Sequence, residues 1–329
     1  MTADAFPEKP FPKELLKALG AAGISMAGMS ATLLEGGSRN SLYRVQNKAG
    51  ADVTVRLCGS GSINAAHARQ EVNNQMAAHR HGLAAPVLYA DPDLGTLVYQ
   101  FLPGRRLRGK DFRDPGVRQQ AFALLRKLHE IPEPFLHTHN YLRSLRQRAS
   151  GQLPTLKKTH RKDMATTLSP VGRAVRALEK APCSFTPTHA DMLPSNIILL
   201  DGGGMCFIDF EMSGMGDPHE DVANLIWGAD LSVAEAEHAM ACYFGEVPIA
   251  AKARIILYLA IIPFYWVLKI HQTIAEQRAQ GEDTTRAKKS FRQRLREIRK
   301  IVFSNGYEKS LIVMKRQAGI VMKCQAGRR

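Results

Sequence analysis

Cysteine is scarce and poorly placed for its usual structural roles. The five cysteines in 329 residues, Cys58, Cys183, Cys206, Cys242 and Cys324, are odd in number and scattered, with no C-x-x-C pair. They read as reduced thiols, and a structural zinc site is not expected. Long apolar runs are missing as well. The longest, from Ile255 to Leu268, has 14 residues and contains Pro263, short of the ~20 that cross a bilayer, so no transmembrane segment is expected. The opening MTADAFPEKPFP carries neither the basic nor the apolar region of a secretory signal, which makes a cytoplasmic location the expectation. Repeats and low-complexity segments are absent too.

Acidic residues are in deficit, 30 against 45 Lys and Arg, a net charge of +15. The imbalance is local. From Arg286 onward there are 14 basic residues and only two acids, Glu297 and Glu308, a net +12, so the body of the chain is nearly neutral. A basic C-terminal helix and tail of this kind reads as a solvated face, with anionic surfaces the partner class it would suit. No aromatic interleaving or nucleic-acid motif accompanies it, so no specific nucleic-acid partner is expected. Oligomeric state is not legible. Hydrophobic content of 45% and charged content of 23% are those of a globular enzyme, long enough for one large domain or two lobes.

The first hundred residues read as β-rich. Strands are expected at Ser41–Val45 and Asp52–Leu57 around an NKAG turn, a helix at about Ile63–His81, and strands at Val87–Tyr89 and Thr96–Gln100. FLPG then breaks the pattern, and the remainder is mainly helical apart from a short strand pair, Ile197–Leu200 and Met205–Ile208, split by DGGG. The expected fold is α+β: a small β-rich N-terminal lobe, residues 1–103, and a mainly helical C-terminal lobe with the basic tail, residues 104–329.

The stretch THADMLPSNIILLDGGGMCFIDFE carries the chemistry. His189, Asp191 and Asn196 reproduce the H-x-D-x-x-x-x-N spacing of a kinase catalytic loop, and Asp209-Phe210-Glu211 stands where D-F-G would follow. The spacing separates roles. One carboxylate, Asp191, stays free of metal to orient a hydroxyl, while an amide, Asn196, and a second carboxylate, Asp209, are hard ligands for Mg²⁺. Earlier in the chain, Gly36, Gly37 and Asn40 in LEGGSRNSLYRV offer backbone to phosphates, although a Gly-Gly hairpin turn is the plainer reading. Arg56 is a candidate phosphate-binding cation and Glu71 its partner; taken alone, both would be surface charges.

These motifs, with VRLCG, LRKLHEIP, IDFEMSGMGDPHEDVANL and FYWVLKIHQ, resemble the choline and ethanolamine kinases of the aminoglycoside phosphotransferase superfamily. The resemblance runs from about Leu34 to Arg296. It implies a protein-kinase-like two-lobed fold, ATP with Mg²⁺, catalysis through Asp191 with His189 bracing the loop, and transfer to the hydroxyl of choline or ethanolamine. Arg at position 56, where other branches usually have Lys, favours the choline branch. Kinases of thiamine, an aminoglycoside or a sugar are the alternatives, and a nucleotide-binding pseudokinase acting as an interaction module is the reading from another class. Apart from resemblance, only seven residues separate Asp209 from Asp217, too few for the platform on which protein kinases hold a peptide. A small-molecule acceptor follows.

A quaternary ammonium needs aromatic faces and carboxylates. Tyr258, Tyr265 and Trp266, with Glu211 or Asp230, are the candidate acceptor-binding residues; packing on an apolar helix is the alternative for the aromatics. The family's second Trp is replaced by Lys269, and Gly228 stands where a Glu is usual.

Overall fold

The computed structural model describes residues 11–36, 40–58, 65–156 and 158–326. In chain order its elements are α1 (Lys13–Ala21), β1 (Ser30–Gly36), β2 (Asn40–Gln46), β3 (Asp52–Cys58), α2 (Ala65–Arg80), β4 (Val87–Asp91), β5 (Thr96–Gln100), β6 (Gly104–Arg106), α3 (Pro115–His129), α4 (Tyr141–Gln152) and α5 (Lys158–Lys180). There follow β7 (Thr186–Thr188), β8 (Ile197–Leu200), β9 (Met205–Phe207), β10 (Gly214–Gly216), α6 (Pro218–Gly228), α7 (Val233–Phe244), α8 (Ile249–Ala279), α9 (Thr285–Val302) and α10 (Asn305–Ala326). The class is the expected α+β. Contacts divide the chain into two units: residues 1–106, 135–137 and 197–214 form the first, and the rest form the second.

The first unit is built on a five-stranded antiparallel sheet of order β1-β2-β3-β5-β4. Its hydrophobic alternation is two-sided. Val53, Val55 and Leu57 of β3 join Val98 of β5 in a core with Leu15 and Leu19 of α1, while Leu97 and Tyr99 of β5 join Val72 of α2. With helices covering both faces, β3 is buried nearly throughout, and Arg56, opposite Leu97 in the ladder, lies on the α2 side. The NKAG turn closes as expected: Ala51 donates its N–H to Asn47 Oδ1 at 2.9 Å, and Gly50 has φ +89°.

A second sheet, β6-β8-β9, belongs to the same unit. Gly104 has φ +153°, and a Cβ there would stand 2.2 Å from the Leu199 carbonyl oxygen, so only glycine allows β6 to approach β8. Beyond β9 the chain is tied to α2. Gln70 Nε2 and Asn74 Nδ2 donate to the Ser213 carbonyl at 2.6 and 3.1 Å.

The second unit packs around α8. By length and composition α8 could cross a membrane, but Ile255, Leu257, Ile261, Val267 and Leu268 are buried within the unit, where α5, α6, α9 and α10 pack on the helix. The long apolar run is thus a core helix, and Pro263 sits inside it without ending it.

The C-terminal region differs from a wholly solvated tail. Phe291, Leu295, Ile298 and Val302 recur at helical spacing along α9 and are buried, leaving Arg286, Lys289, Arg292, Arg296 and Lys300 exposed. The chain then continues as α10, burying Tyr307, Leu311 and Met314, and the Tyr307 hydroxyl donates to the Pro170 carbonyl at 2.6 Å. Charge counting overlooks three apolar residues in a basic sequence, yet these pin the helix. Tyr307→Ala is expected to cost about 3 to 5 kcal/mol of unfolding free energy, the usual range for a large aromatic removed from a core, as measured by urea denaturation; a change below about 1 kcal/mol would return the tail to a solvated role.

Candidate active site

The candidate residues fall in both units, and each group has its own local support. In the second unit, β7 delivers the chain into His189, Ala190 and Asp191. His189 is fully buried and Asp191 half-buried. Ala190 has φ +61°, a left-handed conformation that costs a non-glycine residue roughly 1 kcal/mol or more. What holds it is Asp221, on α6. Its carboxylate accepts the His189 N–H at 2.7 Å and the Ala190 N–H at 2.9 Å, and it pairs with His129 Nε2 at 3.1 Å. His129 Nδ1 in turn meets the Tyr243 hydroxyl at 2.6 Å. Burial alone would raise the Asp221 carboxyl, but His129 and the backbone donors outweigh it and hold the group below the ordinary range.

Asn196 completes the loop. Its side-chain nitrogen donates to the Asp191 carbonyl at 2.7 Å and to Asp191 Oδ2 at 3.3 Å. Since both partners are acceptors, the amide nitrogen must face them, and Oδ1 is turned away from them.

In the first unit, Arg56 and Glu71 form the expected pair, with Nη2 2.6 Å from Oε2 and both side chains more than nine-tenths buried. Arg56 also reaches the Gly95 carbonyl at 3.3 Å. Burial pushes the Glu71 carboxyl up to about 7; Arg56 opposes the shift, and the charges of Asp209 and Glu211 add to it. Asp209 is exposed and Glu211 half-buried. Asp209 has φ +69°, and the next residue, Phe210, is fully buried edge-on to Phe135, which anchors the turn. Gly36 ends β1 and Asn40 opens β2; Gly37 lies outside the described residues.

The candidate acceptor residues do not form one cage. Tyr258 is 2% exposed, and its hydroxyl donates to Asp217 Oδ2 at 2.8 Å. Tyr265 is half-buried with the Arg148 guanidinium 4.8 Å from its ring centroid. Trp266 stacks on Trp227 at 6.1 Å, and the Lys269 ammonium lies 4.7 Å from its ring. Asp230 is exposed at φ +52°, its carbonyl accepting from Arg113. At Gly228 a Cβ would come within 2.8 Å of Leu193 and 2.9 Å of Pro194, so the glycine makes room for the loop between Asp191 and Asn196. Reasoning from the sequence passed over Asp221 and Trp227 as site residues. Asp221 is visible in the sequence only as the acid of DVAN, because its partners lie 31 to 92 residues away.

A buried Arg–Glu pair, a loop in which an amide orients a carboxylate, and a kinase-like α+β fold are the features of a phosphotransferase. The chain matches the phosphotransferase enzyme family over residues 30–254 and belongs to it. Among individual proteins it is similar to protein LicA of Haemophilus influenzae, 25% identical over 202 residues that cover 61% of this chain and 74% of LicA. In fold it is similar to a choline/ethanolamine kinase family protein from Mesorhizobium loti, with a TM-score of 0.73, 21% identity and coverage of 92% and 98% of the two chains. The choline kinase LicA from Streptococcus pneumoniae superposes with a TM-score of 0.67 at 18% identity over 87% and 99%.

The Asp221 carboxyl has a lower pKa folded than unfolded, so its stabilisation is fully present above the unfolded value, declines below it and is lost as pH falls through the folded value. Asp221→Asn is expected to destabilise the protein by about 3 kcal/mol or more at pH 7. The gap to wild type should narrow below roughly pH 4. Chemical denaturation at several pH values checks both, and a gap independent of pH would remove the charge from the explanation.

Proposed function

We propose that this phosphotransferase moves the γ-phosphate of ATP, taken as its Mg²⁺ complex, to the hydroxyl of choline or ethanolamine. The observation that carries the reading is the Asp191–Asn196 arrangement, in which the amide nitrogen fixes Asp191 and the amide oxygen remains for a hard cation. The similarity to choline kinases supports the choice of acceptor.

In this reading Asp191 orients the acceptor hydroxyl and takes its proton on a carboxylate oxygen as the oxygen attacks phosphorus, and His189 braces the loop. Arg56, held by Glu71, positions the phosphates, with backbone at Gly36, Gly37 and Asn40 approaching them. The residues fit Mg²⁺: Asn196 Oδ1 and the Asp209 carboxylate are oxygen donors of the kind a hard cation takes, and these two would hold it. When bound, the ion neutralises phosphate charge. Glu211, Asp230, Tyr258, Tyr265 and Trp266 are the proposed acceptor-binding residues. Residues 1–103 would serve the nucleotide and 104–329 the acceptor, in the cytoplasm where ATP is supplied. Rate enhancement in such a site comes mainly from positioning and charge neutralisation.

One observation favours a different small alcohol. The Lys269 ammonium beside Trp266 competes with a quaternary ammonium for the same π system. A panel of choline, ethanolamine, thiamine, an aminoglycoside and a sugar at fixed MgATP separates the readings, and turnover confined to an uncharged alcohol would remove choline and ethanolamine.

Two variants test the assignments. Asp191→Asn is expected to lower kcat by about 100-fold or more with nucleotide affinity nearly unchanged in calorimetry; near-normal turnover would displace Asp191 from its role. Lys269→Gln is expected to lower KM for choline by about two- to thirtyfold, the worth of one cation–π contact, leaving KM for ATP in place. An unchanged choline KM would take Trp266 out of the acceptor site.

A further inference from the structure

We propose that Cys183, Asp217 and His219 form a binding site for a zinc-class divalent ion in the second unit, outside the loop that carries Asp191 and Asn196. The three residues present one ligand atom each, all within 4.8 Å of one another. Cys183 Sγ lies 3.2 Å from Asp217 Oδ1 and 3.9 Å from His219 Nδ1, and those two are 2.7 Å apart. Zinc bonds of about 2.0 to 2.3 Å at tetrahedral angles set ligand separations of roughly 3.3 to 3.6 Å. Opening the Asp217–His219 separation by about 0.6 Å and adjusting the two to Cys183 by a few tenths would bring the triad to one face of such a tetrahedron.

Local structure explains why the atoms converge. Asp217 is the N-cap of α6, with Pro218 at the first helical position, and it accepts the His219 N–H at 3.1 Å. That cap bends the D-x-H sequence so that Oδ1 and Nδ1 share one side. The other oxygen, Oδ2, is occupied by Arg254 Nε and by the Tyr258 hydroxyl at 2.8 Å. The carboxylate is thus oriented by outer donors as metal-ligating carboxylates usually are. The imidazole is held as well, stacked on Phe244 with centroids 5.9 Å apart.

The donor set selects the ion. Thiolate, imidazole and one carboxylate suit zinc and disfavour magnesium and calcium, which want oxygen. A cavity of about 400 Å³ lined by Cys183, Asp217, His139, Glu220, Arg254 and Tyr258 adjoins the triad, leaving room for a water as fourth ligand. Without an ion, burial first and the Asp217 charge next push the Cys183 thiol up to about 12, so it remains a donor to Asp217. Binding replaces that thiol proton, which leaves to solvent, and requires the neutral His219 tautomer protonated at Nε2.

Occupancy would clamp Cys183, three residues before β7, to the start of α6, four residues before Asp221. The ion would therefore tie together the two segments whose hydrogen bonds hold the Asp191 loop. No C-x-x-C pair marks the site because its thiol and its D-x-H come from segments 34 residues apart.

The test uses the full chain, stripped of metal with a chelator and titrated with Co²⁺. One equivalent is expected to bind with a near-ultraviolet thiolate-to-cobalt band, absent in Cys183→Ser and weakened in His219→Gln. Zn²⁺ at about 100 times its Kd is expected to raise Tm by about 5 °C in wild type and not in Cys183→Ser. Circular dichroism shows whether the variants are folded. Should they not fold, the wild-type band and its loss after alkylation of Cys183, mapped by mass spectrometry, decide the matter. No thiolate band in the wild type, or an undiminished band without the Cys183 thiol, would overturn the proposal and leave the triad as a hydrogen-bonded hub.

Discussion

The second unit depends on a carboxylate with almost no contact with water. Asp221 is 0% exposed and takes two backbone N–H groups from a loop thirty residues earlier in the chain, together with His129. An ionised carboxylate is tolerated in a buried position only when such donors surround it. They also keep Ala190 in its left-handed conformation and aim the chain at Asp191. Tyr243 on α7 fixes His129, and Gly228 at the other end of α6 leaves space for Leu193 and Pro194. The loop is therefore gripped at its start by hydrogen bonds and at its middle by close packing, both from one helix.

The first unit solves a related problem with an ion pair. Arg56 and Glu71 are buried on one side of a sheet whose two faces are covered by helices, and Asp209 and Glu211 add charge to that region. Burial there drives a carboxylate toward its neutral form; Arg56 opposes the shift and holds Glu71 to about 7. Helix α2 carries Glu71 and also, through Gln70 and Asn74, the hydrogen bonds to Ser213. One helix thus holds both the buried Arg56 and the turn following Asp209.

The aromatics near the end of α6 and in α8 are engaged from within the chain. Trp266 keeps its place on α8, yet Trp227 stacks on it and Lys269 brings an ammonium to its ring. The aromatics contribute packing and cation–π contacts internal to the chain. Any acceptor bound there meets a region in which Arg148, Arg294 and Lys269 already lie over Tyr265, Trp227 and Trp266.

By itself the sequence determined the α+β class and most of the elements, though not β1, β6, β7, β10 or α10, and it singled out His189, Asp191, Asn196 and Asp209 as candidates. Those are properties of short spans, set by alternation, helical spacing and a motif whose members lie within twenty-one residues. It also marked Arg56 and Glu71 as partners, through a strand and the helix that follows it. Only the tertiary structure decided the rest. Asp221 acquires its role from amides that are remote in sequence, and Trp227 from a helix nearly forty residues away. The basic C-terminus becomes two packed helices because seven buried apolar side chains on α9 and α10 outweigh many exposed charges, and Cys183 meets His219 only where the segment before β7 reaches α6. Pattern reading captures what repeats along a segment. Which buried polar atoms satisfy one another is settled when separate segments pack, because each must find its partner away from water.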